Sequence, residues 1–294
     1  MGKRLLLFLL TNLAVVVVLS AILSLLGLGG YIGADGQIQL VPLAIFCLVW
    51  GMGGALISLQ MSRWIAKRAM RIQLVDGKTG NADLDWLHAT VSRLTAQANL
   101  PLPEVGVYAS EEVNAFATGP SKKRSLVAVS TGLLRTMERN EVEAVLGHEV
   151  GHIANGDMVT MVLIQGVINA FVLFFARIAA FAVRMVVHRR IAWLAGFATR
   201  IALEIVLGIL GSLVTAWFSR QREFRADAAG ANLAGRDSMI AALRRLATTT
   251  ELIDTSKPAL AALKISDKKS RLAAFSTHPP LAERIAALEM GRML

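Results

Sequence analysis

The sequence predicts a mainly α-helical membrane protein that also carries a small α+β domain with a mixed sheet. Three observations lead there. Four apolar stretches punctuate the chain, at about Leu5–Leu28, Leu40–Met61, Met158–Ala176 and Ile201–Phe218. The 294 residues are 54% hydrophobic with a mean hydropathy of +0.54, more apolar than an ordinary soluble domain. The intervening segments, 62–156 and 219–294, have globular composition with helical and strand-like patterns.

The first two stretches each have about the 20 residues needed to cross a hydrocarbon core of roughly 30 Å. Lys3 and Arg4 precede the first, as in a cleaved signal peptide, but its apolar core is longer than the usual run of about 7–15 residues. Residues 29–39 contain no Lys or Arg and carry Asp35, whereas Arg63, Lys67, Arg68 and Arg71 follow the second stretch. Positive residues stay on the cytoplasmic side. Residues 1–61 are therefore expected to be a pair of spans, with the N-terminus and the segment after Met61 cytoplasmic.

Residues 62–156 form the first part of the expected cytoplasmic domain. Leu84, Leu87, Val91, Leu94 and Ala98 recur at helical spacing. Strand-like runs follow at Val105–Tyr108, Val113–Ala117 and Ser125–Ser130. A further helix is expected from Asn140, with Asn140 as its N-cap and Glu143 three residues on. Residues 157–218 are read as a helical hairpin, spanning or partly embedded, that returns the chain to the side it left. Its connection carries Arg177, Arg184, Arg189, Arg190 and Arg200, which suits an external loop poorly, and Glu204 lies inside the fourth stretch. Residues 219–294 complete the domain, with helical patterns near 223–248 and 280–290, so the C-terminus is expected to be cytoplasmic too.

Charge and cysteine content narrow the function. The net charge is +10 and the pI about 10.3, but no nucleic-acid-binding motif accompanies it, so a lipid surface and topology signals account better for the excess. Cys47 is the single cysteine. It excludes an intramolecular disulfide, and its apolar neighbours do not favour a reactive thiolate.

The most informative motif is His148-Glu149-Val150-Gly151-His152, expected by chance about once in a hundred chains like this one. Residues four apart share a helix face, so His148 and His152 can bind one metal ion while Glu149 takes a proton from the attacking water. Zinc suits nitrogen and oxygen donors and lowers the pKa of bound water to about 7. Val145, Leu146, Val150 and Ile153 surround these polar groups, which are costly to bury without a metal or partners.

A catalytic zinc site needs about three protein ligands. Glu223 is the best candidate, because it follows the fourth apolar stretch as His152 precedes the third. A hairpin returning to the same side would bring the two together. Asp227, one turn on, could accept a hydrogen bond from a ligand histidine. Spacing also allows another reading, with Glu223 and Asp227 paired to Arg222 and Arg225 on a solvated helix. His88 and His188 have no partner motif and read as structural or solvated.

HEVGH, a hydrophobic hairpin and then Glu223-Phe224-Arg225-Ala226-Asp227 together resemble the HtpX family of membrane zinc peptidases. The run Val113–Gly119 resembles that family's segment before the catalytic helix. Thr277-His278-Pro279-Pro280 with Arg284 resembles its C-terminal motif. The likeness covers essentially the whole chain. It implies a zincin-like protease domain, one Zn2+ per chain held by His148, His152 and Glu223, and Glu149 as general base. It implies that Asn114 and Ala115 lie on an edge strand that pairs with substrate, and that His278 and Arg284 hold substrate or stabilise the oxyanion. It also implies cleavage of membrane polypeptides in stress-linked quality control at a bacterial inner membrane, and kinship with the CAAX prenyl proteases. Read from the residues alone, Asn114 fits a turn and His278 a helix cap. Rival functions are a CAAX-type prenyl protease, a zinc-binding scaffold and a transporter. Intact Glu149, four apolar stretches and the large globular share of the chain favour the endopeptidase. Substrates, oligomeric state and control of self-cleavage are not written in the sequence.

Overall fold

The computed structural model describes residues 31–33, 36–256 and 276–291. The first apolar stretch, Leu5–Leu28, lies outside the described residues. Among those described, three helices are long and apolar enough to cross a membrane, within Leu40–Ala69, Asp157–Val186 and Arg189–Ala234. In chain order the elements are α1 (Leu40–Ala69), β1 (Gln73–Val75), α2 (Ala82–Gln97), β2 (Glu104–Tyr108), β3 (Ala115–Ser121), β4 (Arg124–Ser130), α3 (Thr131–Thr136), α4 (Arg139–Asn155), α5 (Asp157–Val186), α6 (Ala192–Ala234), α7 (Arg236–Ser256) and α8 (Leu281–Glu289).

The chain divides into two compact units. The first gathers the chain up to Ser58 with Met161–Thr215. Its described part consists of α1, α5 and α6 segments whose outward residues are apolar, such as Phe171, Ile205 and Leu210, as a lipid-facing surface requires. Helices in lipid pack through small residues, and Gly51 does so here: a Cβ on it would lie 2.8 Å from the Ala170 Cα on α5.

The second unit comprises the described parts of Leu59–Thr160 and Ala216–Leu294. Its four-stranded sheet has the order β1-β2-β4-β3, with β2 and β4 parallel and the outer pairs antiparallel. This leaves β3 on an edge. α2 presents Leu87, Val91 and Leu94 to a core shared with Val105, Val107, Val127 and Val129 of the sheet and Leu146, Val150 and Ile153 of α4. Burying each such side chain contributes roughly 1.5–3 kcal/mol, which fixes α4 against the sheet with its other face free for chemistry.

Two details differ from the sequence reading. α4 starts at Arg139, and its N-cap is Glu138 rather than Asn140. Glu141 accepts the Glu138 backbone N–H at 2.9 Å, a reciprocal cap that Arg245 reinforces at 3.3 Å. α6 is one 43-residue helix from the apolar stretch through Glu223 to Ala234, so no break separates the hydrophobic segment from Glu223. β1 and α3 are too short for periodicity to reveal.

Candidate metal centre

α4 carries His148 and His152 one turn apart, and α6 lies across it with unusual closeness. A Cβ on Gly151 would lie 2.7 Å from the Ala229 Cβ, and one on Gly147 would lie 3.2 Å from the Gly230 Cα. These glycines, four residues apart on α4, let α6 deliver Glu223 and Asp227 to the histidines.

The result is a tight group. His148, His152 and Glu223 each offer one ligand atom, all within 4.8 Å of one another. The two histidine Nε2 atoms face each other at 3.1 Å, and each lies 3.6 Å from a Glu223 carboxylate oxygen. Glu223 is 1% exposed, and its Oε1 has no hydrogen-bond partner. Two facing imidazole nitrogens and a buried, unpartnered carboxylate oxygen match the donor set a divalent transition metal takes. Arg222 lies beside Glu223, with Nε 3.6 Å from Oε1, but burial overturns the solvated-helix reading of Glu223 and Asp227.

The outward nitrogens of both histidines are held. His148 Nδ1 donates to Asp227 Oδ1 at 2.9 Å, and His152 Nδ1 to Asp157 Oδ2 at 2.7 Å. Each bond holds the ring with Nε2 aimed at the group. Asp157 was not singled out from the sequence. α4 ends at Gly156 in the left-handed conformation (φ 70°), and this turn swings the first residue of α5 back against His152. A carboxylate directly after the glycine that stops the HEVGH helix was the available signal.

The other candidates occupy distinct places. Arg284 is buried and grips Asp227 with two hydrogen bonds, of 2.7 Å from Nε and 2.6 Å from Nη2. Its Nη1 lies 3.5 Å from Glu223. His278 Nδ1 lies 2.9 Å from Glu223 Oε2. Glu149 makes no hydrogen bond or ion pair with any described residue. Asn114 leads into β3. Its carbonyl accepts the Ser130 N–H at 2.9 Å, and Ala115 is in register with Val129. Strand alternation then turns the Ala115 backbone groups outward, to the open edge. His188 is exposed, far along the chain from this group.

The electrostatics follow from these contacts. Burial alone would lower the His148 imidazole, but Asp227 and Glu223 outweigh it and push its pKa up to about 9. Burial alone would raise Glu223, which lies past the apolar part of α6, yet His148 and His278 hold it far below the usual carboxylate range. Asp227 is likewise lowered against burial by Arg284 and His148.

A buried two-histidine, one-glutamate group with a further glutamate beside it, its Glu223 on a helix continuous with a candidate span, defines a membrane metallopeptidase. The sequence pattern of Peptidase family M48 matches residues 81–291, and the chain belongs to that family. It is 52% identical to a "Protease HtpX homolog" of Bacillus licheniformis, over 98% of this chain and 99% of that one. It is 51% identical to "Protease HtpX" of Hahella chejuensis, again over 98% and 99%. The crystal structure of S. mikatae Ste24p shares the fold, with a TM-score of 0.63 over 98% of this chain and 67% of that one, at 17% identity.

Proposed function

We propose that this metallopeptidase is a zinc-dependent endopeptidase that hydrolyses membrane polypeptides, misfolded ones included, at the cytoplasmic surface of a bacterial inner membrane during envelope stress. The observation that carries the reading is the convergence of His148, His152 and Glu223 beside a partnerless Glu149. We assign His148, His152 and Glu223 to one zinc ion per chain. When bound, zinc supplies Lewis acidity that polarises a peptide carbonyl and lowers the pKa of water.

The chain's own residues account for the remaining steps. Ala115, on the β3 edge, pairs with the substrate backbone and reads extended shape more than sequence. Asn114 places the start of that edge. Glu149 takes the proton of the attacking water and passes it to the leaving amine. His278 donates to the developing oxyanion. Asp227 and Asp157 fix the ligand histidines, and Arg284 holds Asp227 and borders Glu223. In this reading residues 62–156 and 219–294 form one protease domain, residues 1–61 anchor it, and 157–218 form the intervening membrane hairpin.

The test is zinc content and casein cleavage by the detergent-purified full chain, beside Glu149→Gln and Glu223→Ala. The parent is expected to bind zinc and cleave, Glu149→Gln to bind without cleaving, and Glu223→Ala to lose the metal. Cleavage by Glu149→Gln at the parent rate, or a parent without zinc, overturns the assignment.

A further inference from the structure

The far end of the hairpin has a composition that catalysis does not use. Between Arg177 and Glu204 the sequence holds five arginines, Arg177, Arg184, Arg189, Arg190 and Arg200, against one acidic residue, Glu204. Glu204 is already engaged: Arg200 Nε lies 3.4 Å and Arg177 Nη1 4.0 Å from its Oε1. Arg177 also sits over the Phe46 ring at 5.1 Å. Arg184, Arg189 and Arg190 are exposed and have no acidic partner among the described residues. Interleaved with them are exposed apolar side chains, including Val186 at 84%, Trp193 at 69% and Met185 at 61%.

This surface suits neither hydrocarbon nor water. Unpaired guanidinium groups are expensive in a bilayer core, and a cluster of bare Val, Met and Trp is unfavourable in solvent. Arginine alternating with aromatic and aliphatic residues belongs at the headgroup level. Length agrees. The 30 residues of α5 extend about 45 Å at 1.5 Å per residue, against a core of about 30 Å. About ten residues exceed what a crossing needs, enough to bring the α5 end at Arg184–Val186 to the headgroup level.

We infer that the Arg184, Arg189 and Arg190 cluster, with the exposed Met185, Val186 and Trp193 surface, is a binding site for the phosphate headgroups of anionic phospholipids. Planar guanidinium forks bond phosphate oxygens in pairs, while the apolar residues rest on the acyl chains. Arg184 is preset for this, because its side chain lies along α6 at Gly196, where a Cβ would meet it. The inference does not depend on the peptidase reading, since none of these residues touches the metal group.

The test uses the full chain in a non-ionic detergent, doped with phosphatidylglycerol or phosphatidylcholine, with retained lipid read by native mass spectrometry. Phosphatidylglycerol should be retained about tenfold over phosphatidylcholine. Replacing Arg184, Arg189 and Arg190 together by Gln should abolish the preference, and replacing them by Lys should keep part of it. Helix content by circular dichroism and the melting temperature, unchanged in both variants, report that the fold persists. Millimolar inorganic phosphate should not displace the lipid. Equal retention of the two lipids, an unchanged preference in the Gln variant, or displacement by phosphate alone would overturn the inference.

Discussion

Asp157 shows how much one side chain can decide. It holds His152 as Asp227 holds His148, yet it belongs to the next helix and lies beyond the recognisable motif. If it sets the tautomer and aim of His152, Asp157→Asn should weaken zinc binding about 10–100-fold. Asp157→Glu should recover part of that loss, and titration against a chelating dye measures both. An unchanged affinity in Asp157→Asn, where His152→Ala still abolishes binding, would reject the role and leave the metal site intact. Glu149 has the opposite profile. With no partner of its own, it can change to Gln with little effect on zinc while cleavage falls about 10²–10⁴-fold. Protonation gives a third expectation. In the metal-free group His148 keeps a proton up to about pH 9, and a ligand histidine must lose it. Loading therefore releases a proton, and zinc affinity should rise with pH by roughly tenfold per unit below that value. Isothermal titration across neutral pH would show it, and a flat profile would count against a protonated His148.

At the scale of elements, the crossing of α4 and α6 is the decisive contact. The HEVGH helix was legible because its histidines sit one turn apart within an apolar sequence. Its partner helix was legible only in pieces, since periodicity cannot tell a helix that ends at the membrane from one that continues as a straight rod. The role of Gly151 becomes visible when Ala229 is found against it. Gly151→Val should push the helices apart, lowering thermal stability by several degrees and zinc content with it. Circular dichroism and metal analysis on the same sample would detect this, and a variant with normal zinc would show that the close crossing is dispensable. The β3 edge offers a separate test. Ala115→Pro removes one outward N–H, a change tolerated on edge strands. It should lower kcat/KM for unfolded protein about five- to tenfold with zinc content preserved.

For the whole molecule, the candidate metal group joins segments far apart in sequence, His148 and His152 on α4 and Glu223 on α6. Bound zinc should therefore stabilise the second unit against unfolding. Chelation should lower its melting temperature, and added zinc should restore both stability and cleavage. Loss of cleavage without any change in melting would mean that the metal does not bridge the two segments.

Local chemistry carried most of what the sequence determined. Apolar length marked the candidate spans that are described, alternation and helical period marked α2 and the central strands, and the spacing of His148, Glu149 and His152 marked the helix of the candidate metal centre. These properties repeat over a few residues and need no knowledge of what lies opposite. The tertiary structure decided what depends on distant partners. It placed Glu223 and Asp227 in a buried group instead of on a solvated face, set Arg284 on Asp227, moved the α4 cap to Glu138, and brought Asp157 onto His152. Each of those outcomes rests on a close approach between segments that one-dimensional spacing does not encode, and burial then forces every polar group there to find a partner.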